Sequence, residues 1–373
     1  MVRSATFVLV SLLTTFFIAT ITPPSASQYV FQEAARISPH WIVLRLCSAL
    51  FLSLGLARVH QGRVVGLTVI GCVLGRVMMS DELLMSLETS VLTMSIGAIC
   101  WGWVASSVPR TRLYLALGSL YGASSIGHLC QFAVQSVAVN QSLCVGTAVV
   151  GLLWCVVEVP EHTHVPKGPL QRIVRVRTNG WVLLYGLWAS APRALLRSAA
   201  FASARHDVSV HQGYVVAVLV GVAMTCSLGQ WAVNSYGQKA LFLNGVWMLL
   251  VSLPSLVMLH SKTISPSMYL MLSGFVLGGC ESMMLAVLMD MNDARDRVTM
   301  AALYMMTASV GASLGDMIEQ LFMATAQPLV LGGAAWIVGC MLILGASSAA
   351  SRDAIQREKR NVLNVVCADY APK

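Results

Sequence analysis

The sequence has few charged residues. Only 11% of its 373 residues are Asp, Glu, Lys or Arg, while 57% are hydrophobic and the mean hydropathy is +0.73. An ordinary soluble domain carries about 25% charged residues. This chain has too few charged residues to cover the surface of a water-soluble enzyme. The same numbers exclude a disordered chain. A polytopic membrane protein remains, and twelve spans of about 20 residues would fill most of the chain.

Several motifs are absent as well. The sequence has no CxxC, P-loop, HExxH or dinucleotide fingerprint, so it predicts no catalytic residue, no resident metal and no cofactor, and it argues against an ATP-driven pump. Most of the ten cysteines lie inside apolar runs, which favours buried thiols over disulfides. The net charge is +8, but the basic residues are scattered, so we expect no nucleic-acid partner.

Apolar runs between charged or Pro/Gly-rich breaks predict an all-α protein with about twelve transmembrane helices. The runs lie near 5–22, 41–57, 64–79, 83–105, 113–134, 141–157, 180–201, 213–234, 239–259, 267–289, 300–323 and 328–348. The first run has two interpretations, a retained helix or a cleaved secretory signal. It is longer than the usual apolar region of a signal peptide of about 7–15 residues, which favours the retained helix.

The basic residues predict the orientation. With a cytoplasmic N-terminus, seventeen Lys and Arg fall on the inner side and three on the outer side, which is a strong positive-inside bias. Both termini are then cytoplasmic, as an even number of spans requires. We expect an integral protein of the plasma (cytoplasmic or inner) membrane that works as a monomer.

The longest inner connection divides the predicted spans into six and six. We therefore expect an N-terminal six-helix bundle at 1–157, a cytoplasmic central loop at 158–179, a C-terminal six-helix bundle at 180–348 and a cytoplasmic tail at 349–373. This layout is typical of a transporter with internal repeats. His162 and His164 in the central loop have no third ligand nearby, and a solvated loop is the better interpretation.

Two loops at equivalent places in the halves share a pattern. Residues 55–63 and 229–239 each contain a glycine, a polar turn, a second glycine and a basic residue. This pattern resembles the G-x-L-A-D-R-x-G-R-[RK] loop of the major facilitator superfamily. The acidic residue of that loop is absent, since Val59 replaces it in the first copy and Val233 or Asn234, depending on register, in the second.

A later stretch is similar to the same superfamily. Glycines at 274, 278 and 279 open the tenth span, a polar inner loop follows, and Gly311 and Gly315 lie in the eleventh. The resemblance implies two six-helix bundles and a gate at the inner loops, where basic residues bind helix C-termini or carboxylates. The implied gating residues are Gly55, Gly62, Arg63, Gly229, Gly237, Lys239, Asp296 and Arg297.

Ionisable residues inside the spans mark candidate sites, because charge within a bilayer is costly and usually functional or paired. Eight fall there, and they are Arg45, Arg76, Glu88, Arg193, Arg197, Glu281, Asp316 and Glu319. The resemblance implies that helices one, four, seven and ten line the cavity, which makes Glu88, Arg193, Arg197 and Glu281 the predicted substrate contacts. Glu281 and Asp316 are the predicted proton-coupling residues. Structural ion pairs are the alternative, above all for Glu88 with Arg45 or Arg76.

The expected function is secondary active transport of a small solute by alternating access, as a symporter or antiporter coupled to an ion such as the proton. Two alternatives stay open. One is a polytopic membrane enzyme acting on a lipid or isoprenoid, in which Asp290, Asp293 and Asp296 would hold magnesium. The other is a transporter-like sensor or scaffold.

Overall fold

The computed structural model describes residues 2–21, 62–78, 96–133, 137–157, 159, 176–201, 208–294, 296–322 and 328–369. Within these ranges the chain forms eleven α-helices and no strand. The first half contains α1 (Val2–Ile21), α2 (Gly62–Met78), α3 (Ala98–Ser107), a 3-10 turn (Arg110–Arg112), α4 (Leu113–Ala133) and α5 (Val137–Val156). The second half contains α6 (Arg177–Phe201), α7 (Val208–Tyr236), α8 (Gln238–His260), α9 (Pro266–Met291), α10 (Arg297–Phe322) and α11 (Pro328–Asp369).

These helices confirm the all-helical prediction. Ten of the twelve apolar runs coincide with a described helix, the run at 83–105 is described only from 96 onward, and the run at 41–57 lies outside the described residues. Local sequence explains several starts: Pro266 and Pro328 begin their helices, where the missing N–H is harmless. The oxygen of the Ser265 side chain accepts a bond from the N–H of Met268 at 3.2 Å.

One element is longer than expected. Helix α11 does not end near 348 but continues to Asp369, through most of the predicted tail. No glycine or proline occurs between 346 and 371, and the stretch is rich in alanine, arginine and other good helix formers. Nothing in the local sequence therefore stops the helix at the end of the apolar run.

Helices α1 to α5 form what we call the first bundle. Helix α1 packs against α3, α4 and α5, and α2 packs against α5. The indole N–H of Trp154 donates to the hydroxyl of Thr14 at 2.8 Å, and the ring of Phe7 meets that of Trp154 edge-on. The segment predicted as a retained helix or a signal is thus packed as a helix of this bundle.

Helices α6 to α11 form the second bundle, with α9 at its centre. The apolar part of α9 is 83% buried, compared with 39–44% in the other long apolar helices. Its neighbours approach closely at glycines: a Cβ atom at Gly278 would lie 3.0 Å from the carbonyl oxygen of Val218, and one at Gly221 would collide with the backbone of Phe275. Small residues at such contacts let helices pack in a membrane.

The helices support residence in a membrane. Four are long and apolar enough to cross one, over Gln212–Tyr236, Gln238–His260, Pro266–Met291 and Gly332–Gln356. Shorter apolar helices cover Ala5–Thr20, Gly62–Leu74 and Gln141–Val156. The protein is an integral membrane protein.

The two bundles meet through α4 on α7 and α9 and through α3 on α10. The approach is close, because a Cβ atom at Gly118 would collide with Cys226, and one at Gly102 with Val298. The α3–α4 connection, the α7–α8 turn and the α9–α10 connection come together at one end of the molecule. We call it the closed end. Gly237 forms the α7–α8 turn with φ of +76°, which glycine adopts without strain.

Candidate functional site

The predicted residue Glu281 lies in the middle of α9, at the interface between the bundles. Its side chain is buried, with 8% exposed, and its carboxylate accepts a short hydrogen bond from the hydroxyl of Tyr121 on α4. The Trp101 ring of α3 contacts the Tyr121 ring edge-on, with centroids 6.0 Å apart. The structure thus joins an acid of the second bundle to a hydroxyl of the first.

The backbone around Glu281 is held by its own bundle. The thiol of Cys280 points to the carbonyl oxygen of Gly245 on α8 at 3.8 Å, and the Ser282 hydroxyl donates to the carbonyl of Gly279 at 3.0 Å. Because a Cβ atom at Gly279 would lie 2.6 Å from the hydroxyl of Thr225, this glycine lets α7 approach. The acid is therefore fixed in place by α7 and α8 while it bonds to α4.

A second carboxylate of α9 lies at the closed end. Asp290 pairs with Arg110 of the first bundle, with Nε–Oδ1 at 2.6 Å and Nη2–Oδ2 at 2.9 Å. The Asp290 side chain is 1% exposed and that of Arg110 is 68% exposed. Asp290 also accepts bonds from the Gln238 amide and the Tyr114 hydroxyl. The hydrogen bond to Asp290 raises the pKa of the Arg110 guanidinium above its usual value.

Gln230 links the bundles beside this pair. Its Oε1 accepts from the backbone N–H of Tyr114 at 3.0 Å, and its Nε2 donates to the carbonyl of Arg110 at 3.4 Å. It thereby satisfies an N–H group at the start of α4, where helices leave such groups unpaired. A neutral amide near the end of α7 makes this contact, and the carboxylate that pairs with Arg110 comes from α9.

Arg297 makes a third contact between the bundles. Its guanidinium donates to the carbonyl of Ala105, in the last turn of α3, and to the carbonyl of Asn292 at 3.2 Å. A cation at a helix C-terminus is favourable because the free carbonyls carry partial negative charge. The Ser106 hydroxyl donates to the carbonyl of Ala294 at 2.8 Å. The structure thus brings this predicted gating residue of the second bundle into contact with the first bundle.

The other gating residues that the structure describes have different settings. Asp296 is buried at the start of α10. A Cβ atom at Gly62 would lie 2.7 Å from the carbonyl oxygen of Trp154, and one at Gly229 would lie 2.7 Å from Leu241. Arg63 and Lys239 are exposed. Their gating roles stay predictions.

Several predicted residues cannot be placed by their side chains. Glu88, Gly55, His162 and His164 lie outside the described residues. Arg193 and Arg197 are placed in α6, and Asp316 in α10, by their backbone alone. The substrate-contact and ion-pair predictions for these residues stay predictions.

The acidic loop at 290–296 does not form a magnesium cluster. Asp290 pairs with Arg110, Asp293 is exposed, and within the described ranges no three His, Cys, Asp or Glu side chains converge. A cleft of about 280 Å³ opens beside it between the bundles. Its lining residues are Arg110, Thr111, Val233, Asn234, Gly237 and Gln238.

Sequence reasoning missed Tyr121, Arg110, Gln230 and Gln238 as partners of the predicted elements. Gln230 and Gln238 could have been found, because both follow a glycine directly in the 229–239 loop. Tyr121 lies between Gly118 and Gly122, a small-residue pattern typical of close helix contacts, but the pattern does not name the helix it meets.

Solved structures share this arrangement over nearly the whole chain. The human organic anion transporter MFSD10 (TETRAN) aligns with a TM-score of 0.67 and 12% identity over 93% of this chain and 99% of that chain. The transporter FucP in its outward conformation, a fucose:proton symporter of E. coli, gives 0.66 and 12% over 94% and 98%. A bacterial homologue of the iron transporter ferroportin, outward-facing, gives 0.65 and 14% over 94% and 99%.

The chain has the major facilitator superfamily fold. The structural likeness confirms the two-bundle architecture that the paired glycine–basic loops predicted. No family model matches the sequence, and no curated protein matches it significantly.

Proposed function

We propose that this protein is a secondary active transporter that moves a small solute by alternating access of its two bundles. The observation that carries the proposal is Glu281, a buried acid bonded across the bundle interface to Tyr121. It lies in a fold that the structure closes at one end. Acids within membrane helices usually serve a substrate or ion pathway. The proposal assigns the chain no catalytic step and no cofactor.

We further propose that the closed end faces the cytoplasm, so that the structure is outward-facing. The strong excess of Lys and Arg in the loops of this side supports this orientation, and both termini are then cytoplasmic in the plasma or inner membrane. The bundles at 1–157 and 180–348 would rock as units about the central loop at 158–179. A C-terminal reporter enzyme active only in the cytoplasm should be active; an inactive, membrane-inserted fusion would contradict the orientation.

The proposed coupling ion is the proton and its proposed site is Glu281. A hydrogen bond to a charged carboxylate is roughly twice as strong as one between neutral groups. Protonation of Glu281 would therefore weaken the bond to Tyr121, which joins the bundles. Binding of a proton at this acid would then loosen the interface and favour the opposite conformation.

The solute is proposed to bind near the same level, with Glu88, Arg193 and Arg197 as further contacts and Asp316 as a further proton-coupling residue. The arginines would suit an anionic or polyhydroxylated solute, because guanidinium binds carboxylate in a bidentate way. Arg193→Ala should reduce binding of the transported solute; unchanged transport by this variant would remove Arg193 from the site.

The function is tested on purified monomeric protein. Solutes that raise its melting temperature, as ligands of a folded state do, would be assayed for exchange and for gradient-driven uptake in proteoliposomes. Glu281→Gln keeps an oxygen that can accept from Tyr121 but cannot take up a proton. We expect it to exchange solute at near wild-type rates and to lose accumulation driven by a pH gradient.

The matched control is Glu358→Gln, the same change at an exposed position of α11, which should leave both activities intact. Uphill uptake by Glu281→Gln would contradict proton coupling at this acid. If every stabilising solute failed to exchange across the bilayer in the wild-type protein, the transporter proposal itself would be wrong.

A further inference from the structure

The extension of α11 beyond the apolar run contacts the start of α6 through a buried acid. Asp353 is 6% exposed. Its Oδ2 accepts from the backbone N–H of Thr178 at 3.0 Å and from the Thr178 hydroxyl at 2.7 Å. A carboxylate at this position satisfies an unpaired N–H at the helix N-terminus and is attracted by its partial positive charge. The α11 extension is thereby fixed to α6.

The next residue of α6 continues the contact towards α9. Asn179 and Asn292 form a reciprocal amide pair, with Nδ2–Oδ1 distances of 3.0 Å and 2.8 Å. Both are buried, with 2% and 4% exposed. Asn292 also donates to the carbonyl of Leu288 at 2.6 Å. Two amides paired in this way have one favourable register, so a shift at the start of α6 would displace the end of α9.

The series of contacts that begins at Asp353 ends on the first bundle. The carbonyl of Asn292 accepts from Nε of Arg297 at 3.2 Å, and another nitrogen of the same guanidinium donates to the carbonyl of Ala105 on α3. A planar guanidinium bound at two edges has a fixed orientation. Any displacement of Asn292 therefore changes how Arg297 meets α3.

We infer that Asp353 is a positioning residue for closure between the bundles, acting through Thr178, Asn179, Asn292 and Arg297 on Ala105. The inference rests on the proposed alternating access, because it says that the α11 extension stabilises the conformation in which the closed end is shut. Among the described residues, Asp353 bonds to Thr178 of its own bundle. Its loss should open the closed end without removing any contact between the bundles directly.

Cys226 provides a measurement of closure that needs no solute. It is 4% exposed and lies against Gly118 of the opposite bundle, near Tyr121, so separation of the bundles should expose its thiol. In a variant whose other cysteines are replaced by alanine, the rate of maleimide labelling reports the open fraction. We call this the Cys226 assay.

Asp353→Ala should speed labelling on the order of tenfold, because the N-terminus of α6 loses the side chain that caps it. Asp353→Asn keeps an oxygen for the Thr178 N–H and should label nearly as slowly as the parent. Glu358→Ala, an exposed position of the same extension, is the matched control. Unchanged labelling of Asp353→Ala, or equal acceleration in Glu358→Ala, would overturn the inference.

A double-mutant cycle separates a path from independent local effects. Asn292→Ala should speed labelling as well, and the combination with Asp353→Ala should add little, because residues in one network are not additive. Multiplication of the two accelerations would overturn the path. If Asp353→Ala fails to fold, Thr178→Val is the second variant, because it removes only the bond from the Thr178 hydroxyl. It should speed labelling about twofold to threefold. Unchanged labelling of Thr178→Val would also overturn the inference.

The outcomes distinguish this inference from the proposed function. Faster labelling of Asp353→Ala, in a protein that exchanges no solute, would support the path and contradict the transporter. Normal solute exchange together with unchanged labelling would contradict the path alone.

Discussion

Helix α9 carries two buried carboxylates that face the first bundle, and their partners differ. They are nine residues apart, roughly 13 Å along the helix. Asp290 is bound by a guanidinium, an amide and a tyrosine hydroxyl. Glu281 accepts from the hydroxyl of Tyr121. The first acid is paired with a cation, while the second accepts a bond from a neutral hydroxyl.

The difference assigns separate tasks to the two levels of the interface. The bond to Asp290 raises the pKa of Arg110, so the cation of this pair keeps its proton at every physiological pH. The contacts at the closed end therefore include an ion pair whose cation stays charged. The proton would act at the Glu281 level, where the bond between the bundles depends on the charge of one acid.

The largest expected effect comes from removing Asp290. Asp290→Ala loses hydrogen bonds to a charged group, worth about 2 kcal/mol in total, which is roughly a 30-fold change in population. The Cys226 assay should show faster labelling by that factor. Because Arg110 is mostly exposed, no buried cation is left behind and global stability should fall less than closure.

The control for this variant is Asp293→Ala, three residues further along and exposed. It should label as slowly as the parent. Equal acceleration in the two variants would show that general negative charge at this end, and not the Arg110–Asp290 pair, maintains closure.

Tyr121→Phe tests the other level. It removes the hydroxyl that binds Glu281 and keeps the ring that packs on Trp101. We expect about a tenfold loss of gradient-driven uptake, equivalent to about 1.4 kcal/mol, with a smaller change in the Cys226 assay than Asp290→Ala produces. Tyr236→Phe, on an exposed ring, should transport normally. If Tyr121→Phe changed labelling more than Asp290→Ala does, the Glu281–Tyr121 bond, and not the Arg110–Asp290 pair, would be the main contact that maintains closure.

Gln230→Leu removes two neutral hydrogen bonds between the bundles. Neutral bonds contribute about 0.5–1.5 kcal/mol each, and a net loss of about 1 kcal/mol gives roughly fivefold faster labelling. Gln212→Leu, at an exposed position of the same helix, serves as the comparison. An effect as large as that of Asp290→Ala would show that the Gln230 amide contributes as much to closure as the Arg110–Asp290 pair.

The smallest effect is expected for Arg110→Lys. Lysine keeps the charge but cannot bind both oxygens of Asp290 in the fork geometry of arginine. Labelling should become about twofold faster, since partly exposed pairs are worth about 0.2–1 kcal/mol. Arg112→Lys, an exposed neighbour, should show no change; a shift of tenfold or more for Arg110→Lys would mean that bidentate geometry dominates the pair.

The apolar runs predicted the helices well, because membrane helices need long apolar segments. The positions of prolines indicated where some helices could begin, as at Pro266 and Pro328. The end of α11 was missed because the charges that mark the membrane surface, such as Arg352, also favour a helix in water. Charge composition reports the environment of a segment more directly than its backbone conformation.

The partners of the site could not be predicted in the same way. Glu281 was identified because an acid inside an apolar run is conspicuous. Tyr121 is separated from it by 160 residues, and Arg110 from Asp290 by 180. Helical periodicity gives the face of one helix but not the neighbour that covers it. Gln230 shows a second limit, since it lies outside the position of the superfamily's acidic residue and still bonds across the bundle interface.

The length of α11 has a practical consequence. Its 42 residues extend about 63 Å, about twice the roughly 30 Å hydrocarbon thickness of a bilayer. The helix is bonded to α6 at Asp353 and continues without a break beyond the apolar run. A small globular domain fused to it in helical register would keep a fixed orientation. Such a fusion would serve as a fiducial for electron microscopy.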